Sequence, residues 1–188
     1  MEKLIRSKVV IKVLVFSLIF LLTFTAQIFA GSISGYPAVK QEKSQWCWNA
    51  SGVSILKYKD RSVSQCNFFK RTKGTSTCYN TTASTSEVRK SLLTYLVNSS
   101  YYSGHLTWAA LKAQIDKNYP VYVSWKWNSN SNNTGHAVVA YGYYTALSTN
   151  YVYYMDPADG VKTSMAYSKF VGGSTSDRIW RWGLRDVH

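Results

Sequence analysis

The sequence predicts an α+β domain with its helices first and its strands second. Three observations carry that prediction. Apolar residues recur at helical spacing over 47–57, 88–96 and 107–117. After Pro120 the texture changes to short runs rich in Val, Tyr and Trp, broken by Asn, Gly and Asp. Branched and aromatic side chains pack well on a pleated surface, so these runs read as strands. Their close spacing fits an antiparallel sheet, so a helical N-terminal half packs on a β-sheet half.

Residues 1–30 read as a secretory signal peptide and 31–188 as one folded domain. Lys3, Arg6, Lys8 and Lys12 form a basic start, and an apolar run follows over 13–24. That run is short for a membrane span and normal for a secretory signal. Ala30 is the expected cleavage residue, with Gly31 and Ser32 after it. An uncleaved anchor is the alternative, and both readings put the domain outside the cytoplasm. The expected localisation is secreted.

From 31 to 40 the chain is expected to be extended, with Tyr36-Pro37 as a boundary. Ser44 is a candidate N-cap for the helix that starts near Cys47. Trp48, Ala50, Val53, Ile55 and Leu56 give that helix a buried face, and Gly52 weakens it. The polar stretch 59–83 predicts loops, with at most a short helix over 65–69. Ser84-Thr85-Ser86-Glu87 is a capping box, and Val88, Leu92, Tyr95 and Leu96 supply the stripe behind it. Trp108, Leu111 and Ile115 do the same for a helix over 107–117. Strands are expected at 121–127, 136–144, 151–155, 161–165 and 178–182. Residues 128–133 form a loop tip and 156–160 a turn.

The full chain has 22 Lys and Arg against 9 Asp and Glu, a net charge of +13. Without Lys3, Arg6, Lys8, Lys12 and Glu2 the counts become 18 and 8, and the net charge +10. Such a domain associates weakly with anionic surfaces, or simply carries a solvated basic face. The basic residues are dispersed and no recognition motif accompanies them, which argues against specific nucleic-acid binding. Three cysteines in a secreted chain leave one thiol over. Cys66 and Cys78 lie in a polar stretch and suit a disulfide staple. Cys47 lies between Trp46 and Trp48 at a helix start and is the expected free thiol. Counting alone leaves open that Cys47 is paired and another thiol free.

A cysteine nucleophile needs a base, a group that orients the base, and donors for an oxyanion. Unpaired N–H groups at a helix start favour negative charge at Cys47. The chain has three histidines. His188 is terminal and His105 lies in a loop. His136 follows Gly135 at a strand start and is the candidate base. Asp156 ends a neighbouring run and is the candidate orienter, with Asp159 a competitor. Gln41, six residues before Cys47, is the candidate oxyanion donor. Gln45 is the alternative, with a less natural reach.

Taken in order, Gln41…Trp46-Cys47-Trp48-Asn49-Ala50, Gly135-His136-Ala137-Val138-Val139 and Asp156-Pro157…Gly160 resemble the papain-clan cysteine peptidases. The resemblance is closest to their compact bacterial branch, which includes bacteriocin-leader peptidase domains and papain-like effector proteases. It covers 41–170. It implies a papain-like fold, with Cys47 as nucleophile, His136 as base, Asp156 as orienter and Gln41 as oxyanion donor. Larger papain relatives use Asn as the orienter; Asp is the habit of the compact branch. Secreted relatives usually carry an inhibitory pro-segment, for which there is little room before Cys47. The resemblance therefore implies either a separate inhibitor protein or narrow specificity.

The leading expectation is a secreted cysteine endopeptidase acting on proteins or peptides as a monomer, as a bacterial virulence or competition factor. One alternative is acyl transfer or deamidation on the same fold. Another is a non-catalytic aromatic, basic module for wall polymer or membrane, suggested by 15 Tyr and 7 Trp. No cofactor is expected. No histidine lies near another or near a cysteine in sequence, so no metal site is expected either.

Overall fold

The computed structural model describes residues 30–129 and 134–188. The signal peptide read at the N-terminus and most of the 128–133 loop tip lie outside the described residues. In chain order the elements are β1 (Ala30–Ser32), α1 (Cys47–Tyr58), α2 (Gln65–Lys73), α3 (Thr85–Thr94), β2 (Ser100–Ser103), α4 (Trp108–Ile115), β3 (Val121–Trp127), β4 (Gly135–Ala146), β5 (Thr149–Asp156), β6 (Val161–Ala166), α5 (Tyr167–Val171) and β7 (Arg178–Arg185). The helical half precedes the sheet half, as the change of texture at Pro120 predicts.

The sheet runs β2-β7-β3-β4-β5-β6, with β1 added to the far end of β4. Every pairing is antiparallel. Strand β4 is the hub. Its first half pairs with β3 and its second half with β1, and a register shift between Ala140 and Gly142 separates β4's two contacts with β5. That bulge adds local twist to the strand.

Helix α1 lies inside the molecule. Its residues from Trp48 to Leu56 are all buried, which explains why its apolar stripe is interrupted by small polar residues rather than by charges. Gly52 costs helix propensity but is required by packing: a Cβ there would lie 2.5 Å from the Phe68 ring of α2. Ser51 donates from Oγ to the Ala137 carbonyl at 3.2 Å, in the core. This bond joins the two halves of the fold one residue from His136.

The capping box at Ser84 and Glu87 forms as the sequence predicts. Other expectations are corrected. Ser44 is not the cap of α1. Trp46 occupies that position without a side-chain cap bond, and Ser44 Oγ instead accepts from Asn80 Nδ2. Helix α3 ends at Thr94, and Leu96, with φ 61°, leaves the helix and stands 78% exposed, not in the core. The short helix expected over 65–69 extends to Lys73, because Ser64 caps its start and Gly74 closes it in a left-handed conformation. Strand β2 and helix α5 have no clear local signal; β2 exists because β7, from the far end of the chain, pairs with it.

Candidate active site

Cys47 is the first residue of α1 and is half-buried. A residue there presents its side chain beside the helix's unpaired N–H groups. The flanking tryptophans point inward. Trp46 is fully buried and stacks on Phe69 at 5.1 Å. Trp48 is buried too, but one edge borders the cleft. Cys66 and Cys78 form a disulfide, and Cys47 is the free cysteine among the described residues.

Across the cleft, His136 is the second residue of β4. Its Nε2 lies 2.7 Å from Asp156 Oδ1. Asp156 is the last residue of β5, and the same oxygen accepts from the Ala158 N–H at 3.0 Å. That turn fixes the carboxylate before it meets the imidazole. Asp159, the competing acid, accepts instead from the Val161 N–H. With Nε2 occupied, Nδ1 is the nitrogen left for Cys47, whose thiol is a hydrogen-bond partner of the ring. Trp127 and Trp125 stack on the imidazole, their centroids 6.3 and 6.2 Å away. The Arg178 guanidinium covers both indoles at 5.1 and 4.7 Å.

The electrostatics follow from these contacts. Burial pushes the His136 pKa down, but hydrogen bonds to Asp156 and Cys47, with the charges of both, outweigh it and hold the pKa at about 9. Burial pushes Asp156 up, and its bond to His136 more than reverses that, leaving the carboxyl below its ordinary value. The imidazole therefore keeps its proton at neutral pH and presents it on the cleft side. His105 is exposed, and His188 binds the Asp186 carbonyl, so neither joins the site. Cys47 and His136 face each other in a cleft of about 810 Å³, lined further by Gln45, Trp48, Tyr122 and Trp182.

The sequence model of a family described as papain-like cysteine protease AvrRpt2 matches residues 34–174. The chain belongs to this family. It is thus a papain-like cysteine peptidase, and its substrate is protein or peptide. Solved structures share the fold. A C39-like peptidase from Bacillus anthracis superposes with a TM-score of 0.60 at 14% identity, over 84% of this chain and 97% of that one. The peptidase domain of Streptococcus ComA, a bi-functional ABC transporter, gives 0.54 at 15% identity, over 79% and 96%. A double glycine motif protease from an AMS/PCAT transporter, solved with its leader peptide, gives 0.52 at 18% identity, over 83% and 96%. A comparison with curated proteins finds no match.

In this peptidase Gln41 sits beside the Asp156 turn, its N–H donating to the Pro157 carbonyl at 2.7 Å. Its side-chain Nε2 donates to the carbonyls of Lys43 and Ser44 at 2.8 and 2.9 Å, while Oε1 is buried without a partner. Gln41 thus braces the turn before Cys47, and Gln45 is the glutamine on the cleft wall. Three groups that order the site escaped the sequence. Ser51 bonds the strand of His136. Gln65 binds Lys40 and Glu42, fixing the approach to Gln41. Asn80 binds Ser44 and Gln45. Each acts on a partner remote in sequence, and no local motif marks it. Among the described residues no group of three or more His, Cys, Asp or Glu could hold a metal ion, and no helix is long and apolar enough to cross a membrane.

Proposed function

We propose that the protein is a secreted endopeptidase working through Cys47, His136 and Asp156. The observation that carries this reading is the 2.7 Å contact between His136 Nε2 and Asp156 Oδ1, on a ring whose other side meets the free thiol. The Cys47 sulfur, as thiolate, attacks the scissile carbonyl carbon, and a C–S bond forms. The imidazolium gives its proton to the leaving amine as the C–N bond breaks. Water, losing a proton to the now neutral imidazole, then attacks the acyl carbon. The C–S bond breaks, the peptide acid leaves, and the ion pair is restored. Asp156 keeps the ring oriented and stabilises its charge throughout.

The oxyanion takes one bond from the Cys47 N–H, which has no intrahelical acceptor at a helix start. We assign the second bond to Gln41, whose amide turns one N–H from the Ser44 carbonyl to the substrate oxygen as substrate binds, before charge develops. Gln41→Ala is expected to lower kcat by about 10²-fold, the cost of losing one oxyanion donor, and Gln45→Ala by far less. If Gln45→Ala is the costlier change in steady-state peptide hydrolysis, the role passes to Gln45.

Secretion is supported by the basic start and apolar run of the first 30 residues and by the Cys66–Cys78 disulfide, which suits an oxidising compartment. Protein recovered from culture medium should begin at Gly31. It should react at Cys47 with a papain-type epoxide far faster than a small free thiol does, and His136→Ala should remove that excess. An intact Met1 on a cell-retained protein refutes secretion. Equal labelling of wild type and His136→Ala refutes the catalytic pair.

A further inference from the structure

The residues just after Cys78 form a strap over the entry to α1. Trp46 Nε1 donates to the Tyr79 carbonyl and Trp48 Nε1 to the Thr81 carbonyl, both at 3.0 Å. Between them Asn80 uses both ends of its amide. Its Oδ1 accepts from the Gln45 N–H at 2.9 Å, and its Nδ2 donates to Ser44 Oγ at 2.8 Å. Cys47 is therefore flanked on each side by residues tied to one three-residue segment. That segment is anchored in turn. Cys78 is bonded to Cys66 of α2, and the Tyr79 ring stands edge-on to Phe69 of the same helix at 4.9 Å.

The turn ahead of Cys47 is gripped from two directions. Gln41 holds the carbonyls of Lys43 and Ser44, and Asn80 holds the Gln45 N–H and the Ser44 hydroxyl. This turn sets where the Cys47 N–H points. An oxyanion donor is useful only if it is aimed before charge develops, since reorienting it during the reaction costs what its hydrogen bond gains. Asn80 is itself exposed. Its bonds therefore add little to the core, and their effect falls on the geometry of this turn.

We propose that Asn80 is a positioning residue for peptide hydrolysis, aiming the Cys47 N–H by clamping the Ser44–Gln45 turn. The inference rests on Cys47 being the nucleophile. A peptide that wild type cleaves and Cys47→Ala does not is first chosen from a mixed library. Kinetics on that peptide, the rate of Cys47 alkylation by iodoacetamide and the Tm are then measured for wild type, Asn80→Ala and Asn80→Asp.

Asn80→Ala is expected to lower kcat by about tenfold with KM nearly unchanged. Alkylation should stay within about twofold of wild type, because attack on iodoacetamide forms no oxyanion. Asn80→Asp should recover most of the kcat: it still accepts from the Gln45 N–H, and the Ser44 hydroxyl turns to donate to it. The proposal is overturned by an unchanged kcat in Asn80→Ala, by alkylation falling in step with kcat, by an aspartate variant no better than alanine, or by loss of fold. Wild-type alkylation no faster than that of a small free thiol is a different result. It condemns Cys47 as nucleophile and leaves the source of the failure plain.

Discussion

Activity should fall by about tenfold per pH unit above pH 9, where His136 loses the proton that the proposed mechanism gives to the leaving amine. The limb is measured as kcat/KM against pH, which reports groups of the free enzyme. Asp156→Asn takes away the charge that helps hold the imidazole pKa up and leaves a weaker neutral hydrogen bond, while burial still pushes it down. The alkaline limb should therefore move to lower pH, and kcat/KM at neutral pH should drop by about 10²-fold. An alkaline limb that does not move in Asp156→Asn removes Asp156 from the site. Stability changes in the same direction. The His136 pKa is raised from 6.5 to about 9 on folding, so its contribution is complete below about 6.5 and is lost as pH rises through about 9. At about 1.4 kcal/mol per pKa unit this is on the order of 3 kcal/mol. It should appear as a Tm that falls on the alkaline side and is flatter in His136→Ala.

Gly135→Ala is expected to be the most damaging small substitution. Gly135 pairs with Lys126 at the start of β4, and a Cβ there would lie 1.7 Å from the Trp125 carbonyl oxygen. That neighbour is backbone, so β4 itself must move, and His136 is the next residue. We expect a loss of about 2–3 kcal/mol in stability and of about 10²-fold in kcat/KM from misplacement of the base. Gly173→Ala is the matched control, since a Cβ there meets nothing within 4 Å. Denaturant melts and peptide kinetics on both variants check this; equal behaviour of the two refutes it.

The candidate site was legible where chemistry is scarce in the chain. With three cysteines and three histidines the pairing of Cys47 and His136 followed from few choices. Asp156 stood out from Asp159 only weakly in sequence, and the structure separates them by their hydrogen-bond partners. Helix α3, with its stripe and capping box, and helix α4, with its stripe, were readable because helix formation is local. What was not readable is long-range. The pairing of β2 with β7 joins residues near 100 to residues near 185. Ser51 meets Ala137 across 86 positions and Asn80 meets Gln45 across 35. Ser44 looked like a cap because its residue type suits one, yet it sits two residues further from the helix than the N-cap position taken by Trp46.

With Cys66 and Cys78 joined to each other, Cys47 is the free thiol among the described residues. While that bond stays closed, a disulfide at Cys47 is one with another molecule, a small thiol or a second copy of the protein. Such an adduct leaves the Cys66–Cys78 bond in place. It converts the enzyme into a dormant mixed disulfide, and a thiol that displaces the blocking group by exchange at its sulfur returns the enzyme to the reduced form. An odd cysteine is ordinarily a hazard in an oxidising medium. Here a block at the mixed-disulfide level is recoverable by thiol exchange.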